Sequence, residues 1–290
     1  MTAAAGDTAD PPDLRTVRLP SGKRVPALGQ GTWHMAENPR RRRAEIESLR
    51  MGLDLGCTLI DTAEMYADGR AELLVGEAIE GRREEVVLVT KVLPSHASRR
   101  GTIAACEASL ARLGTDRIDL YLLHWRGSVP LEDTVDAFTR LSDAGKIRYW
   151  GVSNFDVDDM IELAGLAGGD DVATDQVLYN LERRGIEFDL MPWCLARRIP
   201  VMAYSPMGQG RHLGHPALRT VAARRGVTPA QVALAWVLRS DGVIAIPKAG
   251  SAAHVRENRV AADLHLTEDE LTLLDRVFAP PRAKQQLAIL

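Results

Sequence analysis

Short apolar runs recur along the chain, each bounded by charged, glycine or proline positions. Eight fall near Ala27 to Gly31, Thr58 to Asp61, Val86 to Lys91, Ile118 to Leu123, Ile147 to Val152, Val172 to Gln176, Pro200 to Ala203 and Val243 to Ile246. Runs this short and this continuous suit parallel strands buried on both faces. Between them apolar positions return every third or fourth residue, as in Ala44 to Leu53 and Ile103 to Leu113, which predicts helices. Eight strands alternating with helices predict an α/β fold of the (β/α)8 TIM barrel type. An open doubly wound sheet is the rival, because periodicity carries no strand order. Ahead of this alternation, Val17 to Val25 contains Pro20-Ser21-Gly22-Lys23, turn chemistry that predicts an N-terminal β-hairpin. Helical patterns at Pro229 to Arg239 and Thr267 to Val277 exceed a minimal barrel and are expected as two additional helices on its flank. No break in composition divides residues 15–290, which are expected to form a single domain. Residues 1–14, rich in Ala, Asp, Thr and Pro, are expected to be a disordered tail.

Composition narrows the function classes. At 290 residues the chain is long enough for one large core. A net charge of −3 offers no general attraction to a polyanion. The basic run Arg40-Arg41-Arg42-Arg43 opens a helical pattern around which its side chains fan, and is expected to be a solvated helix start rather than a nucleic-acid patch. The three cysteines form no CxxC pair and none of the seven histidines has metal-site spacing, so no metal is expected and a cytoplasmic setting fits. There is no signal-peptide pattern and no apolar stretch of membrane-spanning length, so no membrane partner is expected. No interface signal stands out, and a monomer is expected.

Candidate chemistry lies at the strand ends. Asp61, Tyr66, Lys91 and His124 each sit at or just beyond the end of an apolar run, and the C-terminal strand ends of a closed parallel barrel share one face. An ammonium close to a phenol stabilises the phenolate, which would lower a pKa that starts near ~10 and make Tyr66 a usable acid and base. Asp61 would pair with Lys91, while His124 would donate a hydrogen bond that polarises a carbonyl. Taken singly, each has an ordinary structural role: ring packing, a helix cap, a surface charge, a satisfied core histidine. Their joint placement favours one catalytic centre. The dinucleotide fingerprint is missing, since Gly29-Gln30-Gly31-Thr32-Trp33-His34 lacks a third glycine, and there is no GxxxxGK[ST] loop. Phosphate can still be held at Lys248, where Gly250, Ser251 and a following helix N-terminus supply backbone donors.

These segments resemble the aldo-keto reductase family from about Val17 to the last helical pattern. Asp61-Thr62-Ala63-Glu64-Met65-Tyr66 looks like its Asp and Tyr motif, Lys91 follows Val89-Thr90 as its lysine does, and Leu123-His124-Trp125 resembles its histidine segment. The resemblance implies NADPH bound in an extended pose without a Rossmann domain. Ser153 and Asn154 of Gly151-Val152-Ser153-Asn154-Phe155, with Gln176, would hold the nicotinamide carboxamide. Tyr204 would stack on its ring, and Ser205, Pro206, Met207, Gln209 and Gly210 would line the pyrophosphate. Ile246, Pro247, Lys248, Ala249, Gly250 and Ser251 match the region around the adenosine 2′-phosphate, and Glu257 and Asn258 the pair contacting adenine. Gly31, Thr32 and Asp61 complete the expected cofactor set. One position departs from the pattern: where many members carry an arginine on the 2′-phosphate, this chain has His254. Arg256, two residues on, is rotated about 200° around a helix and is expected in solvent, so NADH stays open beside NADPH.

The resemblance implies hydride transfer to a carbonyl carbon, with Tyr66 protonating the oxygen. Trp33 and Trp125 match positions that line the family's substrate pocket. The segments after His124 and Tyr204 look short, and little chain follows Pro280-Pro281, so an open pocket for small activated carbonyls is expected. The pattern is similar to that of bacterial methylglyoxal reductases. Two other classes stay in view: a metal-dependent barrel hydrolase, and a barrel that senses a cofactor with little turnover.

Overall fold

The computed structural model describes residues 14–290. The expected disordered tail therefore lies outside the described residues except for Leu14, which packs against the core. Strands β1 (Thr16–Arg18) and β2 (Arg24–Pro26) pair antiparallel with Val17 opposite Val25. Gly22, at φ 87°, makes the turn between them. Leu19 and Val25 face Leu59, Val87, Leu120 and Ile244, so the hairpin closes the N-terminal mouth of the main sheet.

That sheet holds β3 (Gln30–Gly31), β4 (Leu59–Asp61), β5 (Val87–Val92), β6 (Ile118–Leu123), β7 (Ile147–Ser153), β8 (Asp175–Leu178), β9 (Val201–Tyr204) and β10 (Val243–Ala245). All neighbours are parallel and follow sequence order, which removes the doubly wound alternative, where the order reverses at a switch point. The sheet curls until its edges meet. Gly29 N–H donates to Ala245 O at 2.9 Å, Ala245 N–H to Ala27 O at 2.8 Å and Gly31 N–H to Pro247 O at 3.1 Å. Bridges Leu28–Ala245 and Gly31–Lys248 mark the same seam. This eight-stranded parallel sheet is consistent with a (β/α)8 barrel.

Helices α1 (Arg42–Asp54), α2 (Arg70–Ile79), α3 (Arg99–Leu113), α4 (Leu131–Asp143), α5 (Val157–Ala164), α6 (Leu190–Ala196) and α7 (Pro216–Arg225) each follow a strand. The two additional helices occur as α8 (Pro229–Val237), before β10, and α10 (Glu268–Asp275), with α9 (Ala252–Ala261) between them. Both start with a capping box: Thr228 with Gln231, and Thr267 with Glu270. Each box satisfies two N–H groups that a helix start leaves without partners. In β6 all six residues are buried, as expected for a strand covered on both faces. The expected strand at Val172 to Gln176 begins later, at Asp175. Ala173 N–H already donates to Trp150 O at 2.8 Å, so the pairing runs ahead of the regular strand.

Candidate active site

The ends of β4 and β5 set the centre. Lys91, fully buried on β5, donates from Nζ to Asp61 Oδ2 at 2.8 Å, to Thr62 O at 2.8 Å and to Tyr66 Oη at 3.2 Å. An ammonium has three donors, and all three are used. The second carboxylate oxygen of Asp61 accepts from Gln176 Nε2 at 2.7 Å, across the sheet from β8. Burial pushes the Asp61 carboxyl up and the Lys91 ammonium down, while the charge of each partner opposes both shifts. Their 2.8 Å contact and full set of hydrogen bonds hold them as an ion pair.

Tyr66 stands in a short turn after β4, its ring half-buried. Contrary to the lowered value expected from the sequence, burial and the Asp61 charge push its phenol well above the usual range. Desolvation outweighs the lysine, whose charge is already engaged by Asp61. Since Oη accepts from Lys91, the phenolic hydrogen remains to be donated elsewhere. The His124 ring meets Tyr66 edge-on, with centroids 5.7 Å apart. Burial, reinforced by the Lys91 charge, pushes His124 down to about 2, so its imidazole is neutral at physiological pH. Its Nδ1 is buried without a hydrogen-bond partner among the described residues. A neutral ring protonated on Nε2 avoids burying an orphaned N–H there.

A second network continues around the rim. Ser153 Oγ donates to Gln176 O at 2.7 Å, Asn154 Nδ2 donates to His124 O at 3.0 Å, and Tyr204 Oη donates to Asn154 Oδ1 at 2.9 Å. Asn154, Ser205 and Gln209 all adopt positive φ, a conformation uncommon outside glycine that clusters at functional sites. These groups open on a cavity of about 520 Å³. Asp61, Tyr66, His124, Trp33, Trp125, Lys248, His254, Glu257 and Asn258 all line it. Among the described residues, no group of three or more His, Cys, Asp or Glu could hold a metal ion. Nor is any described helix long and apolar enough to cross a membrane.

The Aldo/keto reductase family model matches residues 27–279. The chain belongs to the aldo/keto reductase family. It is 52% identical over 268 residues to methylglyoxal reductase YeaE of Escherichia coli, covering 91% of this chain and 94% of that protein. It is 29% identical over 270 residues to methylglyoxal reductase DkgB of Salmonella typhimurium, covering 88% and 96% of the two chains. An aldo/keto reductase from Klebsiella pneumoniae, solved with NADP and acetate, superposes with a TM-score of 0.93 at 51% identity. That match covers 96% of this chain and 100% of the other.

Most residues named from the aldo-keto reductase resemblance meet at this cavity, including Gly31, Ser205, Pro206, Met207, Gly210, Ile246 and Pro247. Besides the buried Lys91, four do not line it. Thr32 is buried and its Oγ1 donates to Asp61 O at 3.0 Å. Ala249 O accepts from Ser48 Oγ at 2.6 Å, Gly250 is buried, and Ser251 Oγ caps α9. Sequence reasoning missed Met65, Leu213, Ala230, Ile289 and Leu290, which join the lining. The last two alter the expected open pocket. Lys284 Nζ lies 2.7 Å from Asp158 Oδ2, Leu287 packs against the core, and Ile289 and Leu290 line the cavity. A run without helical or alternating pattern gave no sign of this path.

Proposed function

We propose that this chain reduces small activated aldehydes and ketones, including α-oxoaldehydes such as methylglyoxal, with NADPH as reductant and Tyr66 as proton donor. The observation that carries the assignment is Lys91, whose three donors are all engaged and one of which ends on the Tyr66 oxygen. The phenolic hydrogen is thereby left to a substrate oxygen in the cavity.

The residues present fit the cofactor. One continuous cavity joins a polar rim at Ser153, Asn154 and Gln176 to a cationic end at Lys248. Ser153, Asn154 and Gln176 would hold the carboxamide, and Tyr204 would offer its aromatic face to the ring. The stretch from Ser205 to Gly210 would receive the pyrophosphate, while Glu257 and Asn258 would receive the adenine. Bound there, the reduced cofactor supplies a hydride to the carbonyl carbon. His124, neutral, polarises the carbonyl oxygen by donating a hydrogen bond without adding a charge that would compete for the proton. Tyr66 passes its proton to that oxygen, and Lys91 stabilises the phenolate that remains, with Asp61 and Gln176 keeping the ammonium in place. Trp33, Trp125, Ile289 and Leu290 shield the carbonyl from water and favour compact substrates.

A carbonyl panel run with NADPH and with NADH tests this function. The expected result is NADPH oxidation with a higher kcat/KM for methylglyoxal than for steroid ketones. A reversed order would overturn the substrate assignment. Tight NADPH binding with no oxidation by any carbonyl would favour the cofactor-sensing alternative.

A further inference from the structure

The four arginines at the start of α1, two of them in the turn before it, are solvated but differ in their partners. Arg42 pairs with Glu77 at 2.5 Å and Arg43 with Glu47 at 2.8 Å. Arg41 turns toward the loop after β10. A Cβ built on Gly250 would lie 2.6 Å from Arg41 Nη2 and 3.1 Å from Lys248 Nζ, so a guanidinium and an ammonium converge over one stretch of backbone. Glu45 pairs with Arg41 through Nε at 3.8 Å, and its Oε2 accepts the Ala36 N–H at 2.9 Å, while Arg41 Nη2 is the nitrogen that approaches the loop. No carboxylate pairs with Lys248 among the described residues.

Two cations drawn together repel each other unless an anion lies between them. Immediately beyond, Ser251 caps α9, whose first-turn N–H groups favour negative charge. The approach is built into the packing, because Ser48 on α1 donates to Ala249 O at 2.6 Å and ties the helix that follows Arg41 to this loop. Lys248 also lines the cavity that Asp61, Tyr66 and His124 line.

We propose that Arg41, reaching across from the turn that leads into α1, is the second cation of a phosphate-monoester site completed by Lys248 and the α9 N-terminus. It sets the preference for NADPH over NADH in a chain that has His254 where an arginine is common. The inference rests on the cofactor reading above and adds to it a residue far from the motif that suggested it. A guanidinium offers a monoester two parallel donors, whereas the ribose hydroxyl of NADH leaves Lys248 without a counter-charge.

The test is equilibrium binding, not turnover. Dissociation constants for NADPH, NADH, adenosine 2′,5′-bisphosphate and AMP would be measured by calorimetry on wild type, Arg41→Gln and Arg41→Lys. Arg41 is exposed, so neither substitution threatens the core. Arg41→Gln is expected to weaken NADPH and the bisphosphate by about tenfold or more, with NADH and AMP moving less than about twofold. Arg41→Lys should recover part of the loss. Equal weakening of all four ligands, or no change in any, would overturn the role of Arg41 while leaving the cofactor reading intact. Failure of wild type to bind either dinucleotide would overturn both.

Discussion

Lys91 meets three acceptors and Tyr66 Oη is one of them, so the phenol is held as an acid whose hydrogen faces away from the lysine. Because burial and Asp61 push that phenol well above its usual value, it remains protonated throughout pH 6 to 9. With Tyr66 as the proposed proton donor, reduction needs the protonated form, so kcat for carbonyl reduction should be flat over that range. Alcohol oxidation needs the phenolate, whose fraction rises about tenfold per pH unit below the pKa, so the reverse rate should climb with pH. Steady-state profiles in both directions check this, and a reduction rate that falls between pH 6 and 8 would contradict it. Tyr66→Phe should lose about a thousandfold or more in kcat while cofactor Kd stays within about threefold. The four central residues were legible because each ends an apolar run, and strand ends are where a parallel barrel gathers its chemistry. The direction of the phenol's shift was not legible. It depends on how completely neighbouring elements exclude water, which no spacing records.

At the scale of elements, the seam between β3 and the segment after β10 depends on a missing side chain. A Cβ on Gly31 would lie 2.6 Å from Ile246 O, a backbone atom that cannot swing aside. Gly31→Ala is therefore expected to cost about 1–3 kcal/mol, measured as a lower urea midpoint at unchanged slope. The two additional helices were legible from their helical patterns, and Thr228 with Gln231 and Thr267 with Glu270, each pair three positions apart, cap their starts. β3 was harder. Only Gln30–Gly31 is regular strand, and the rest of the expected run makes single bridges across the closure. The arginine run is solvated as expected, with Arg40, Arg41 and Arg43 exposed, but helical spacing does not show that a loop more than 200 residues later passes beside one of them.

At the scale of the molecule, the segment from Lys284 to Leu290 lends the cavity a wall that no strand or helix supplies. Deleting residues 284–290 should raise KM for methylglyoxal by about threefold to tenfold and shift relative kcat/KM toward bulkier ketones. An unchanged selectivity profile would show that the segment does not shape the pocket. The rest of the centre is distributed differently. Gly31, Asp61, Lys91, His124, Ser153, Gln176, Tyr204 and Ile246 lie on or directly after the eight strands, one for each, so the sheet and the site are the same object seen from two sides. A ring whose every stave carries part of the chemistry has no partly assembled working form. Turnover in such a protein is a census of its staves, and a chain missing one of them is counted as absent.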